Sequence, residues 1–341
     1  MILNTILIIL AASFVPVIIS YVVEILRKAP LEPEKLAWAK NIPVQHIDID
    51  GITLRYIKTG QGEPLLLLHT LRTQLDMFQK MIPSLSEQFT VYALDYPGHG
   101  YSDIPIAEYT PQFFLKFVEE FLDKLNLQNV TVVGESIGGS LGLMLAAKNN
   151  SRIKQVVSVN PYDYGKGFGI ARGSWVGALL LYMSNIPLLG ATNWRLRVFP
   201  AFLHIMRGGV YDSSVLSNDL MHEINDVGNR PYHYRSFMSL IRHFPKWELE
   251  KENYHEIQTP VLLVYGDHDW STENERLDTK NRIDNVRLET ITDGGHFLSL
   301  EKPDKLTSLI SDFTETTIDE SYSVPSIPVN KVGPMDINIF S

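Results

Sequence analysis

Short, wholly apolar runs alternate with amphipathic stretches along this chain from about residue 44 onward. Val44 to Asp50 and Ile52 to Ile57 switch between apolar and polar positions on either side of Gly51, the period-2 pattern of an antiparallel strand pair. Pro64 to Leu68 carries no polar residue at all, and a helical pattern from Gln74 to Leu85 and a strand from Thr90 to Leu94 follow it. The rhythm continues with a helix from Gln112 to Leu125, a strand over Val130 to Val133, a helix from Ile137 to Ala147 and a strand from Ile153 to Val159. Strands with no polar face must be covered on both sides, so the pattern predicts an α/β protein with a mostly parallel sheet between two layers of helices.

The alternation breaks over residues 161–255 and resumes with a strand at Val261 to Tyr265, a helix at Glu273 to Arg282, a strand at Val286 to Ile291 and a last helix from about Leu298. The interruption is rich in aromatics, among them Phe168, Trp175, Trp194, Phe202, Phe237 and Trp247. Its apolar stretch Val176 to Leu189 is too short to span a bilayer. It reads as an inserted helical cap over the C-terminal edge of the sheet. The domain layout expected is therefore a first core part at 41–160, the cap at 161–255, a second core part at 256–318 and an aperiodic tail at 319–341.

Ahead of the core, Ile2 to Val23 is predominantly apolar and, at about 1.5 Å per helical residue, matches a bilayer core of roughly 30 Å. It predicts a membrane anchor within an anchor-and-linker segment at 1–40. Glu24 to Lys28 stands where a signal peptide would need small residues at a cleavage site. Arg27, Lys28, Lys35 and Lys40 all follow the segment and no basic residue precedes it. The positive-inside rule then predicts a single-pass membrane protein with its catalytic domain in the cytoplasm.

Composition narrows the function. At 341 residues, with 45% hydrophobic and 20% charged positions, the chain can build one large core with an insertion. A net charge of -9 and the lack of a long basic run give nucleic acid nothing to hold, so no nucleic-acid partner is expected. With zero cysteines there is no disulfide, thiolate metal site or cysteine nucleophile. Nothing in the sequence asks for a metal or cofactor.

The chemistry is concentrated in a few loops. Gly134-Glu135-Ser136-Ile137-Gly138 joins a buried-type strand to a helix, the context in which Gly-x-Ser-x-Gly forms a nucleophile elbow. Side chains at Gly134 and Gly138 would collide where strand and helix backbones approach, and the turn lifts the Ser136 hydroxyl out of the sheet edge. The Ile137 amide, first in the helix, can donate to an oxyanion. A serine hydroxyl needs a base and an acid to orient that base. His296, in the glycine loop Asp293 to Phe297, is the candidate base. Gly266-Asp267-His268-Asp269-Trp270 supplies the acid. Asp269 is favoured, because a residue several positions past the strand can turn back to the histidine, whereas Asp267 is placed to hold the turn. Asp163, after the preceding strand, is a third possibility. Asp95 and His99, in a glycine turn, are read as structural.

With these pieces in order, the chain resembles the α/β-hydrolase superfamily over roughly Gly51 to Ile310. The motifs are Leu66-Leu67-Leu68-His69, Asp95 to Ser102, the elbow, Pro260 to Asp269, and Gly294-Gly295-His296. The resemblance implies an eight-stranded-type sheet and places the second oxyanion amide on Leu71, two residues past His69. Thr70 stands where the family usually has glycine, so a different loop conformation is expected there. Neighbouring Arg72 is read as directed to solvent, with carboxylate binding as the alternative. Dehalogenases and epoxide hydrolases of this fold share the capped layout but use an aspartate nucleophile, and Ser136 argues against both. The expectation is a serine hydrolase, esterase- or lipase-like, acting on a lipophilic ester or related acyl bond of a small-molecule or lipid-like substrate. An acyltransferase, a carbon-carbon bond hydrolase and a catalytically silent binding module are the alternatives.

Overall fold

The structure, a computed structural model, describes residues 2–315, with side chains from Phe14 onward. The tail expected at 319–341 lies outside the described residues. Eight strands form one sheet in the order β1-β2-β4-β3-β5-β6-β7-β8. These are β1 (Val44–Ile49), β2 (Ile52–Thr59), β3 (Glu63–Leu68), β4 (Phe89–Leu94), β5 (Val130–Glu135), β6 (Ile153–Val159), β7 (Val261–Gly266) and β8 (Val286–Ile291). β2 runs antiparallel to both β1 and β4, and every other pairing is parallel.

The central strands β5 and β7 are buried at every position, which is why apolar residues predominate along them without a polar face. At the outer edge β8 alternates, with only Ile291 fully buried. Parallel pairing points the C-terminal ends of β3, β5, β6 and β7 to the same edge, and the loops leaving that edge hold Thr70, Ser136, Asp163 and Asp269. The sheet thereby gathers residues far apart in sequence.

Two expected helices are broken. Pro83 reduces the stretch after β3 to a 3-10 turn, Leu75–Phe78, and a single helical turn, Ile82–Leu85. Pro303 divides the last helix into Leu298–Glu301 and Pro303–Glu315. Both breaks follow from the missing N–H and fixed φ of proline.

Between β6 and β7 the chain is helical. Among its helices are Trp175–Ser184, Leu189–Leu196, Phe199–Arg207, Asn218–Gly228 and His233–Arg242. The apolar stretch 176–189 is interrupted where Leu188 takes φ 65 ahead of the second of these.

The expected membrane anchor is not borne out. Among the described residues no helix is long and apolar enough to cross a membrane, so the single-pass placement and the cytoplasmic orientation derived from it both fall. Residues 2–26 do form a helix, with Pro16 inside it. Its described C-terminal half uses its polar side chains on the helical segment. Glu24 is buried and bonded to Arg197 (2.6 Å), to Arg27 (3.0 Å) and to the Tyr232 amide (2.7 Å). Arg195 donates to the Ser20 hydroxyl, and Arg27 donates to the carbonyls of Arg195 and Leu196. Apolar composition alone did not distinguish a helix in lipid from one docked on protein through a few buried polar groups.

Candidate active site

Ser136 stands at the end of β5 with φ 61 and ψ -119, a left-handed backbone on a residue that has a Cβ. Such strain persists only where the surroundings over-determine it, and here two glycines do so. A Cβ on Gly134 would lie 2.0 Å from the Gly138 carbonyl oxygen, and a Cβ on Gly138 would lie 2.0 Å from that of Leu68. The helix Ile137–Ala147 can therefore cross directly over the end of β3, with Ile137 as its first residue.

His296 leaves the loop after β8 and reaches the serine from above. Its Nε2 lies 2.9 Å from Ser136 Oγ, and its Nδ1 lies 2.5 Å from Asp269 Oδ1. The other Asp269 oxygen accepts from the Ser271 amide at 2.8 Å and from the Ser271 hydroxyl. Burial on its own would raise the Asp269 carboxyl, but the facing imidazole and the Ser271 bonds outweigh it and hold the group below its ordinary value. The carboxylate thus stays charged against the histidine. Trp270 stacks on the imidazole, with centroids 3.9 Å apart and planes 15° apart.

The other acids lie elsewhere. Asp267 accepts from the Gly294 amide at 3.1 Å and ties the two loops together. Asp163 faces Thr279 and Lys251, and burial, offset in part by Lys251, raises its carboxyl to about 6. Asp95 accepts from Arg55, Leu75 and Tyr101, and His99 is buried beside Pro97, so both hold turns, as their setting suggests.

Thr70 avoids a positive φ, and the left-handed residue of this loop is Arg72, at φ 54. His69 Nδ1 lies 2.7 Å from the Thr70 carbonyl, and burial lowers the His69 imidazole to about 3, which keeps it neutral. Leu71 and Thr70 line an apolar cavity together with Ile170, Phe202, Trp270 and Phe297. That cavity abuts the histidine, because Trp270 and Phe297 both pack on its ring. Arg72 also lines it and so does not point to open solvent as expected.

Several supporting residues escaped the sequence reading. Asn160, just past the end of β6, donates to the Gly295 and His296 carbonyls and accepts from the Gly266 amide, which fixes the Asp269 and His296 loops to each other. Glu135 accepts from both the amide and the hydroxyl of Ser299. From the helical segment, the Gly209 carbonyl accepts from the His296 and Phe297 amides. Position at the C-terminal edge of the sheet was the available signal for Asn160 and Glu135. None existed for Gly209, whose partner lies 87 residues away by numbering, from 209 to 296.

A nucleophile-type serine, an imidazole and a buried carboxylate in hydrogen-bonded series at the C-terminal edge of such a sheet belong to an enzyme of the hydrolase class. Residues 63–303 match the family model described as alpha/beta hydrolase fold, and the chain belongs to that family. A haloalkane dehalogenase of Psychrobacter cryohalolentis is 26% identical over 289 residues, covering 77% of this chain and 87% of that protein. The dihydrolipoyllysine-residue acetyltransferase component of the acetoin cleaving system of Cupriavidus necator is 36% identical over 122 residues, 36% of this chain and only 33% of that relative. The crystal structure of Cfl2 from Burkholderia cenocepacia superposes with a TM-score of 0.72 at 19% identity, covering 84% of this chain and 99% of that one, a likeness of fold.

Proposed function

We propose that this enzyme cleaves a carboxylic ester, or a related acyl bond, of a lipophilic substrate through an acyl-enzyme on Ser136. The carrying observation is the unbroken series from Ser136 Oγ through His296 to Asp269. In the first step His296 Nε2 takes the hydroxyl proton as Oγ attacks the acyl carbon. The oxyanion that forms is received by the backbone amides of Ile137 and Leu71. The imidazolium, stabilised by Asp269, then returns its proton to the leaving alcohol. Water, activated by the same nitrogen, releases the acid and restores the serine. The helices between β6 and β7 act as a cap whose apolar cavity selects the substrate. Serine in place of a carboxylate nucleophile sets the reaction apart from that named for the dehalogenase relative.

The test is labelling with a fluorophosphonate, which needs an activated serine, followed by turnover of p-nitrophenyl esters of increasing chain length. Wild-type protein should label and Ser136→Ala should not, with ester turnover lost by several orders of magnitude. An unlabelled wild type would point to the binding-module alternative.

A further inference from the structure

Arg72 has the setting of a ligand-binding group, and no role in the chemistry above uses it. Its guanidinium carbon lies 5.3 Å from the Phe202 ring centroid and 5.8 Å from that of Phe237, so aromatic faces hold the cation in place. It lines both the apolar cavity beside His296 and an adjoining one that Arg197 also lines. Nε and Nη2 are shut off from solvent and have no hydrogen-bond partner. These are the two parallel donors that a carboxylate engages together. On the cap helix beside them stands Gly228, where a Cβ would come within 3.3 Å of Nε, so a side chain there would crowd that edge.

The charge balance points the same way. Arg27, Arg72 and Arg197 lie close enough to influence one another, and Glu24, the acid among them, is engaged by Arg27 and Arg197. Arg72 forms no ion pair among the described residues. Burial, with a smaller contribution from Arg27, lowers it to about 10, which leaves it cationic at neutral pH. A buried cation without a counter-ion is costly, and an anionic ligand removes that cost on binding.

We propose that the substrate carries a carboxylate, which Arg72 binds in the cavity beside His296 while the apolar walls take its hydrocarbon part. This rests on the reading of Ser136 as nucleophile, and it names the substrate class as an acidic ester or acyl compound. Arg72 is then a specificity-determining residue. The guanidinium and the oxyanion amide at Leu71 belong to one loop, so binding the carboxylate also sets the position of that amide.

Calorimetric titration of the full chain with hexanoate and with hexanamide, its uncharged isostere, tests this directly. The wild type should bind hexanoate tighter by about tenfold or more, and Arg72→Met should bring the ratio within about twofold. Arg72→Gln, which keeps a polar end in a similar envelope, replaces it if the Met variant does not fold. Equal affinity for both ligands in the wild type overturns the proposal, as does a hexanoate preference that survives loss of the guanidinium. Fluorophosphonate labelling of the same preparation separates the two readings. A labelled serine with no carboxylate preference defeats only the acidic-substrate inference. An Arg72-dependent preference on an unlabelled serine supports the carboxylate site and defeats only the hydrolytic reading.

Discussion

Asp269 and Asp267 stand two residues apart on one loop, yet only Asp269 reaches the imidazole, and the difference lies in what each oxygen accepts. Asp269 receives His296 Nδ1 and the two Ser271 donors, whereas Asp267 receives a backbone amide from the histidine loop. Asp269→Asn puts an amide where a carboxylate held the imidazole tautomer, and should lower ester turnover by a factor on the order of 10^4. Asp267→Asn keeps an acceptor for Gly294 and should cost less than about tenfold, within the range of a weakened loop contact. Steady-state kinetics on the two variants decides, and a larger loss at Asp267 would reverse the assignment. The order serine, acid, histidine made the hydrogen-bonded series of Ser136, Asp269 and His296 legible in the sequence, because each follows a strand end. Arg72 was not legible in that way, since exposure is the usual state of a lone arginine and only the packing of the helices between β6 and β7 shows that this one is enclosed.

At the level of elements, β5 and its elbow impose a titration on the fold. Burial raises the Glu135 carboxyl to about 7, with the Ser299 bonds offsetting part of the rise. Its unfolded value is near the ordinary 4.5, so the proton is held more tightly in the folded chain. The stability this contributes is full below about 4.5 and is lost as pH climbs through about 7. Glu135→Gln cannot ionise and should be free of that loss. Urea unfolding from pH 4.5 to 7 should show wild type losing ground to the variant, by at most about 1.4 kcal/mol per pH unit. Parallel profiles would show that Glu135 ionises as readily in the fold as outside it. Strand positions were readable because complete burial writes itself as apolar runs. The helices after β3 and at the C-terminus were over-extended, because periodicity outweighed Pro83 and Pro303 in the reading.

Over the whole molecule, long-range polar ties join parts that the sequence leaves separate. Glu24 joins the N-terminal helix to Arg197 of the helical segment after β6, with side chains only 5% and 1% exposed. Glu24→Ala leaves Arg197 buried without its counter-ion and should cost about 3–5 kcal/mol in chemical denaturation. A loss below about 1 kcal/mol would mean that the pair behaves as a surface contact. A second tie runs from the Gly209 carbonyl to the His296 and Phe297 amides, over a serine and histidine with no exposed surface. The same bonds therefore tie the helical segment after β6 to the loop that carries His296. With both side chains buried, an outside reagent is expected to reach Ser136 only when that segment moves. As fluorophosphonate concentration rises, the labelling rate should level off at the frequency with which the segment moves, and Gly209→Pro, by disturbing the tie to the His296 loop, should shift the plateau. A rate that grows linearly to the limit of reagent solubility would mean an open door. Under gating, the waiting time between openings, and not the strength of the nucleophile, sets the pace of first encounter.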